Sequence, residues 1–434
     1  MSRLSLLVLA PSGDPEAISI PYVSYCHAAA LAHIHDVTLV VGSPVEGRVR
    51  RAKSPFRAIE VVRMPILERL FDWCFRTFLR SNYDTQLLTA LMYPFTVAFE
   101  WRAWLQLRQR ILGGEFDVVL RVLPMSPVLP SPFAFFLRNG PIPFVLGPLN
   151  GGLRSAPGFS QPDEKEWGFV IRKLSRLLPF ARSTYRHAAG IIIASYHMRT
   201  QFAAYSDKLF FIPENGIAPS LCCADSRSPE SGARLELIFV GGLVPRKACY
   251  LGLRAAAPLL RNGLARFTII GDGPERGRLE ELAGCLGIES AVNFCGWLNH
   301  TEVLERLRSA DVVVLPAIRE GGGGVVFEAL ASGAVPVILD YGGPGDIVQS
   351  DIGYKVLPTN EDDVVLEMAK ILNDLAGDRD LLKRLRKQGM LYARECLTWD
   401  AKALRTTLVL NWIVRRGPKP NLVPSTMAEI KCVS

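Results

Sequence analysis

Short aliphatic runs alternate with amphipathic stretches along the whole chain. In the first half the runs are residues 4–10, 37–41, 116–120, 144–146 and 190–194. In the second half they are 235–240, 266–270, 292–295, 312–315 and 335–338. Runs this short, apolar at consecutive positions and rich in β-branched residues, suit strands buried on both faces of a parallel sheet. Helical spacing fills the intervals. Val303, Leu304, Leu307 and Ala310, for example, follow the capping-box sequence Asn299-His300-Thr301-Glu302. The alternation predicts an α/β chain of two doubly wound, Rossmann-like domains in tandem. A stretch rich in Gly, Pro, Ser and Asp from residue 213 to 231, with Asn215-Gly216 inside it, marks the link between them.

Composition agrees with this picture and narrows it. The chain has 434 residues, 49% of them hydrophobic, which suits two or three domains with their own cores and excludes a disordered chain. Nine cysteines without a C-x-x-C pair are too sparse for a disulfide scaffold and point to a reducing, cytoplasmic setting. No apolar stretch approaches the ~18–20 residues of a spanning helix. The apolar run at residues 4–10 ends in Pro11-Ser12-Gly13-Asp14 without a small-residue cleavage site, so it reads as a first strand. The net charge of +8 is unevenly placed: up to Glu214 there are 24 basic against 16 acidic residues, and beyond it 26 of each.

Three glycine-bearing strand ends carry the candidate chemistry. The most informative is Arg319-Glu320-Gly321-Gly322-Gly323-Gly324-Val325-Val326-Phe327-Glu328, between the run 312–315 and a helical stretch. A glycine-rich strand-to-helix loop presents backbone N–H groups at the positive end of a helix dipole, which suits a phosphate or diphosphate. Glu320 at the loop mouth can accept hydrogen bonds from sugar hydroxyls, and Glu328 can reach a ribose diol. The alternative is a flexible loop with two solvated glutamates; its place at the carboxyl end of a strand, where open α/β sheets bind ligands, argues against that. The second strand end is Gly241-Gly242-Leu243-Val244-Pro245-Arg246-Lys247, where glycines admit a ligand and two cations offer charge for a diphosphate. The third, Gly271-Asp272-Gly273-Pro274, is an incomplete dinucleotide fingerprint because Gly277 comes one position late.

Taken in order with Phe294-Cys295-Gly296-Trp297 and Leu397-Thr398-Trp399-Asp400, these segments resemble the family-4 retaining glycosyltransferases of the GT-B fold (glycosyl transferases group 1). The resemblance is close over residues 235–357 and looser through Gly147-Pro148-Leu149-Asn150-Gly151-Gly152. It implies two Rossmann-like domains facing across a cleft: 1–212 for the acceptor, 213–396 for the donor, and 397–434 with a helix returning to the first domain. It further implies a nucleotide-diphosphate sugar as donor substrate, no other cofactor, and a lipid-linked or polysaccharide acceptor. Glu320 would contact the donor sugar, Glu328 the ribose, and Lys247 the diphosphate, together with the amides of Gly322, Gly323, Gly324 and Val325. Gly241, Gly242, Arg246, Gly273 and Gly296 complete the expected donor side. Ser12, Gly13, Arg121, Asn150 and Gly151 are the acceptor-side candidates. The chain departs from the family at Gly242, where an arginine usually stands, and after the run 116–120, where a histidine often follows and Arg121 stands here. The usual glycine pair of the first strand-to-helix loop is reduced to Gly13.

Other chemistries have less in their favour. The sole Asp-x-Asp, Asp378-Arg379-Asp380, lies in a charged stretch among helices, so no metal is expected. The basic surplus shows no aromatic-interleaved stripe or nucleic-acid motif. An anionic membrane surface fits it better, through the basic apolar segment 169–178 and the cationic segment 47–53, and places the protein peripherally on the inner face of the plasma membrane. Ordinary basic helices packed on a sheet are the alternative for each segment. Two other functions remain open on the sequence: an NAD-dependent oxidoreductase on the same sheet order, and a non-catalytic sugar-binding protein at the membrane.

Overall fold

In a computed structural model of the chain, residues 3–78, 85–159, 177–222, 234–415 and 417–422 are described. They form two compact units. The first comprises described residues up to Gly152, then 177–214 and 399–422; the second comprises 153–159, 215–222 and 234–398.

The first unit is built on a parallel sheet of seven strands: β1 (Ser5–Leu9), β2 (Asp36–Gly42), β3 (Ala58–Val62), β4 (Val118–Arg121), β5 (Phe144–Leu149), β6 (Gly190–Ile193) and β7 (Leu209–Phe211). Their order is β3-β2-β1-β4-β5-β6-β7, with Leu6 facing Val37 on one side and Val118 on the other. The continuous apolar runs have a direct structural meaning. Leu6 and Val8 enter one core, which includes Leu31 of the helix Ile20–Ile34 and Val409 and Leu410 of the helix Trp399–Arg415. Leu7 and Leu9 enter the other, with Phe99 and Leu107 of the helix Thr85–Leu112. Both faces are covered, so alternate residues of a strand are equally apolar.

The second unit has six parallel strands: β8 (Leu235–Val240), β9 (Ala265–Ile270), β10 (Val292–Gly296), β11 (Val312–Leu315), β12 (Val335–Leu339) and β13 (Tyr354–Val356). They run in the order β10-β9-β8-β11-β12-β13. The capping box at Asn299 and Glu302 is formed in full, and Asn360 caps the acidic first turn of the helix Glu361–Gly377. Asp378 of the Asp-x-Asp is likewise a helix cap, accepting the Leu381 N–H at 2.8 Å.

Residues 153–159, expected in the first domain, pack in the second unit. Ala156 N–H donates to Ile318 O at 2.8 Å, the Tyr341 hydroxyl donates to Arg154 O at 2.9 Å, and Ala156 and Phe159 join the second core. No described helix is long and apolar enough to cross a membrane.

Candidate donor site

The site is assembled on adjacent strands of the second sheet, β9, β8 and β11, at their carboxyl ends. Loop backbones are stitched directly together: Gly241 N–H donates to Ile270 O, Leu243 N–H to Asp272 O, and Gly271 N–H to Gly296 O, all at 2.8–2.9 Å. This close approach requires glycine at position 271, which has φ 129° and where a Cβ would overlap the Gly241 carbonyl. The loop after β8 then joins the loop after β11, because Ile318 and Arg319 N–H both donate to Arg246 O.

Those connections bring Lys247 and Glu320 together. Lys247 Nζ donates to Glu320 Oε2, while Glu320 Oε1 accepts the Gly323 N–H at 3.0 Å. Burial alone would raise the Glu320 pKa. The Lys247 ammonium, its hydrogen bond, the Gly323 N–H and the charge of Arg246 outweigh burial, so the carboxyl titrates below the usual range.

Beyond Glu320 the chain turns at Gly323, φ 60°, into the helix Gly324–Ser332. The N-cap, Gly323, has no side chain to cap this helix and the first turn contains no acidic residue, so Glu320, on the Gly323 N–H, is the carboxylate at its amino terminus. Gly324 and Glu328 share one face of the helix, four positions apart. Glu328 Oε1 lies 2.8 Å from His300 Nε2. The arrangement thus combines a paired ammonium and carboxylate, a cluster of amides and a second carboxylate one helical turn further on. Such a site can neutralise a diphosphate and accept hydrogen bonds from sugar and ribose hydroxyls.

Gly242 leaves space rather than strain: a Cβ there would stand 3.8 Å from the Trp297 ring and 3.9 Å from Asp272 O. Gly273 carries its backbone against Leu243 O, and Gly296 ends β10 at φ 69°. Gly322 and Val325 flank the glycine turn and the first helical turn. The expected donor residues therefore all lie in this one unit, on strand ends, the loops that follow them and the helix Gly324–Ser332.

The acceptor-side candidates lie in the first unit. Ser12 and Gly13 follow β1, in a loop fixed by Gly13 N–H to Ala10 O and by the 2.7 Å contact of Arg48 with Asp14. Asn150 and Gly151 follow β5, and the Asn150 side-chain amide donates to Glu214. Arg121 is different. It is 1% exposed, its Nε lies 2.9 Å from the equally buried Glu100, and its Nη1 donates to Leu129 O. Its guanidinium is thus an internal partner of Glu100 rather than a surface contact. The segment 47–53, expected as a cationic loop, includes the helix Glu46–Arg51, where Arg48, Arg50 and Arg51 each pair with a carboxylate. Of the basic apolar segment 169–178, residues 169–176 lie outside the described residues.

Sequence reasoning missed His300 as a partner of Glu328. The residue stood in plain view inside the capping box, but a contact across 28 positions has no local signal. It also missed the convergence of Asn150, Glu214 and Lys402, where Lys402 Nζ donates to Glu214 O.

Two all-parallel α/β units, one with glycine-rich loops at its strand ends, define a protein of the GT-B fold class. Residues 225–390 match the family model described as glycosyl transferases group 1. An uncharacterized glycosyltransferase of Methanocaldococcus jannaschii is 32% identical over 174 residues, 40% of this chain and 44% of the relative. Glycogen synthase of Mycobacterium tuberculosis is 31% identical over 217 residues, 48% of this chain and 50% of that one, so the chain spans about half the length of these relatives. The MMP alpha-(1->4)-mannosyltransferase of Mycolicibacterium hassiacum is 25% identical over 406 residues, covering 88% and 91%. Among solved structures, Anabaena HepE in complex with UDP has a TM-score of 0.63 at 15% identity, covering 94% of this chain and 100% of that one. Sucrose-phosphate synthase of Thermosynechococcus elongatus has a TM-score of 0.62 at 16% identity, with 96% and 100% covered.

Proposed function

We propose that the protein transfers a sugar from a nucleotide-diphosphate sugar to a lipid-linked or polysaccharide acceptor, with retention of configuration and without a metal. The observation that carries this reading is the junction of Lys247, Glu320 and the uncapped helix Gly324–Ser332. Lys247 and the amides of Gly322 to Val325 meet the departing diphosphate, with Arg246 adding charge nearby. Glu320 accepts from the donor-sugar hydroxyls and Glu328 from the ribose. No described carboxylate of this junction stands unengaged as a nucleophile: Glu320 is held by Lys247 and by the Gly323 amide. A same-face mechanism therefore fits best, in which a diphosphate oxygen takes the proton of the acceptor hydroxyl as that hydroxyl attacks the anomeric carbon.

The acceptor falls to the first unit, through Ser12, Gly13, Asn150 and Gly151. We place this unit at an anionic membrane surface in bacterial-type glycan or exopolysaccharide synthesis, with the protein peripheral on the cytoplasmic side. Support comes from the charge excess confined to residues before 215 and from the exposed Trp101, Leu105 and Leu112 on one helix. A panel of nucleotide sugars scored for hydrolysis and for thermal stabilisation tests the donor reading, with NADH as the competing ligand. Stabilisation by NADH alone would overturn it. Sedimentation with anionic liposomes at low salt tests the membrane reading, which absence of binding removes.

A further inference from the structure

His300 pairs with Glu328, and the transfer chemistry above gives the histidine no role. His300 begins the helix His300–Ser309, and Glu328 projects from the helix Gly324–Ser332 packed beside it. Their contact is 2.8 Å and involves only Oε1 of the carboxylate. The histidine side chain is 61% exposed and the glutamate 24%. The helix backbone under His300 is fixed by the capping box, so the imidazole is delivered from a rigid support.

We infer that His300 is the positioning residue for Glu328: it holds Oε1 so that Oε2 is presented to the ribose diol of the bound nucleotide, and it makes ribose recognition depend on pH. The inference rests on the reading of Glu328 as the ribose contact. A carboxylate has about four acceptor positions, so one bond from imidazole leaves the remainder for two hydroxyls while removing the freedom of the side chain. The bond from Glu328 outweighs burial and holds the His300 pKa above the usual histidine value. Below that pKa the imidazolium makes a charge-assisted bond; as pH rises through it, the bond weakens and Glu328 is released.

Among the described residues, the helix Gly324–Ser332 and β8 pack on the helix of His300. Glu328 is the sole charged side chain of the helix Gly324–Ser332, and that of β8, Glu236, sits at the amino end of its strand. On its own helix, Glu302 is occupied by the Asn299 N–H, Glu305 is exposed, and Arg306 and Arg308 lie in the last turn.

The test compares the affinity of UDP with that of 2′,3′-dideoxy-UDP, and of GDP with its dideoxy form, by calorimetry from about pH 5.5 to about pH 8.5. The ribo-to-dideoxy ratio cancels titration of the terminal phosphate, which both ligands share. In the wild type the ratio falls as pH rises. His300→Ala lowers it roughly three- to tenfold at the acid end and flattens the profile. His300→Gln, which can still donate, restores part of the ratio but not the pH dependence. If Glu328→Gln lowers the ratio while His300→Ala leaves it and its pH profile unchanged, the inference is overturned and the ribose reading stands. If Glu328→Gln also leaves the ratio unchanged, or neither diphosphate binds, the ribose reading itself fails and the inference with it.

Discussion

Lys247 and Glu320, 73 positions apart, are bonded to each other across the loops that follow β8 and β11. The cation expected at the diphosphate and the carboxylate expected at the sugar are therefore one unit, and each sets the state of the other. Lys247→Ala leaves a partly buried carboxylate facing only the Gly323 amide and Arg246, while Glu320→Ala frees the ammonium from its position. Either change should lower transfer or donor hydrolysis by about two to three orders of magnitude. Circular dichroism should show both variants folded. Wild-type rates in both would remove this pair from the site.

The same pair sets an acid limit. The folded-state pKa of Glu320 is depressed, so its stabilising effect is present above the ordinary carboxylate value and is lost as pH falls through the lower folded value. The difference in unfolding midpoint between wild type and Glu320→Gln should therefore be steady from neutral pH down to the usual carboxylate range and shrink only below it. A difference that moves in favour of the wild type as pH falls towards that range would show a raised folded pKa, and hence that Lys247 does not hold the carboxylate ionised.

Gly242 is the position where the resemblance leads one to expect an arginine, and the backbone there does not demand glycine. The nearest atoms to a new Cβ are the Trp297 ring at 3.8 Å and Asp272 O at 3.9 Å, ordinary contact distances. Gly242→Arg should fold with an unchanged melting temperature and bind a nucleoside diphosphate about three- to tenfold more tightly, through one added charge-assisted bond. A loss of stability of more than ~1 kcal/mol would show that Trp297 or Asp272 cannot yield.

Gly271 gives the opposite expectation from the same kind of geometry. Its φ is 129° and a Cβ would strike the Gly241 carbonyl, whereas Gly277 has nothing within 4 Å of a new Cβ. Gly271→Ala should cost about 2–4 kcal/mol and weaken donor binding, because the loops after β8 and β9 must part. Gly277→Ala, in the helix Arg276–Cys285, should be neutral or stabilising. Denaturant midpoints of the two variants check this, and equal midpoints would contradict it.

The contrast between these glycines shows what was legible in the sequence. Strands buried on both faces announce themselves, because consecutive apolar residues such as Leu6 to Leu9 serve two cores at once. The edge strands β3, β7 and β13 were not legible: they are three to five residues long, and β3 carries Glu60 in its middle. The donor loops were readable because glycines, cations and carboxylates sit at strand ends, where local order already implies the chemistry. Placing 153–159 in the second unit was beyond reach, since it rests on backbone bonds to Ile318 and from Tyr341, which no local pattern encodes. Arg121 was misleading for a related reason. Nothing beside it in the chain reveals Glu100, the carboxylate that takes it into the core.

Lys402 is a last case of a charge whose partner the sequence hides. It lies in the helix Trp399–Arg415, is 2% exposed, donates to Glu214 O and sits 5.3 Å above the Trp399 ring. Burial lowers its pKa from 10.5 to about 7, against the opposing pull of Glu214 and Cys26. Between those two values the unfolded chain binds more protons than the folded one, so stability rises with pH from about 7 towards 10.5 and is lost as pH falls through about 7. Lys402→Met keeps the volume and removes the titration. Other groups titrate alike in both proteins, so the difference between their denaturant midpoints isolates Lys402. That difference should move in favour of the wild type as pH is raised from about 7 to about 9.5. A difference constant over this window would mean that the amine is charged throughout, with Glu214 and the Trp399 face compensating its burial in full.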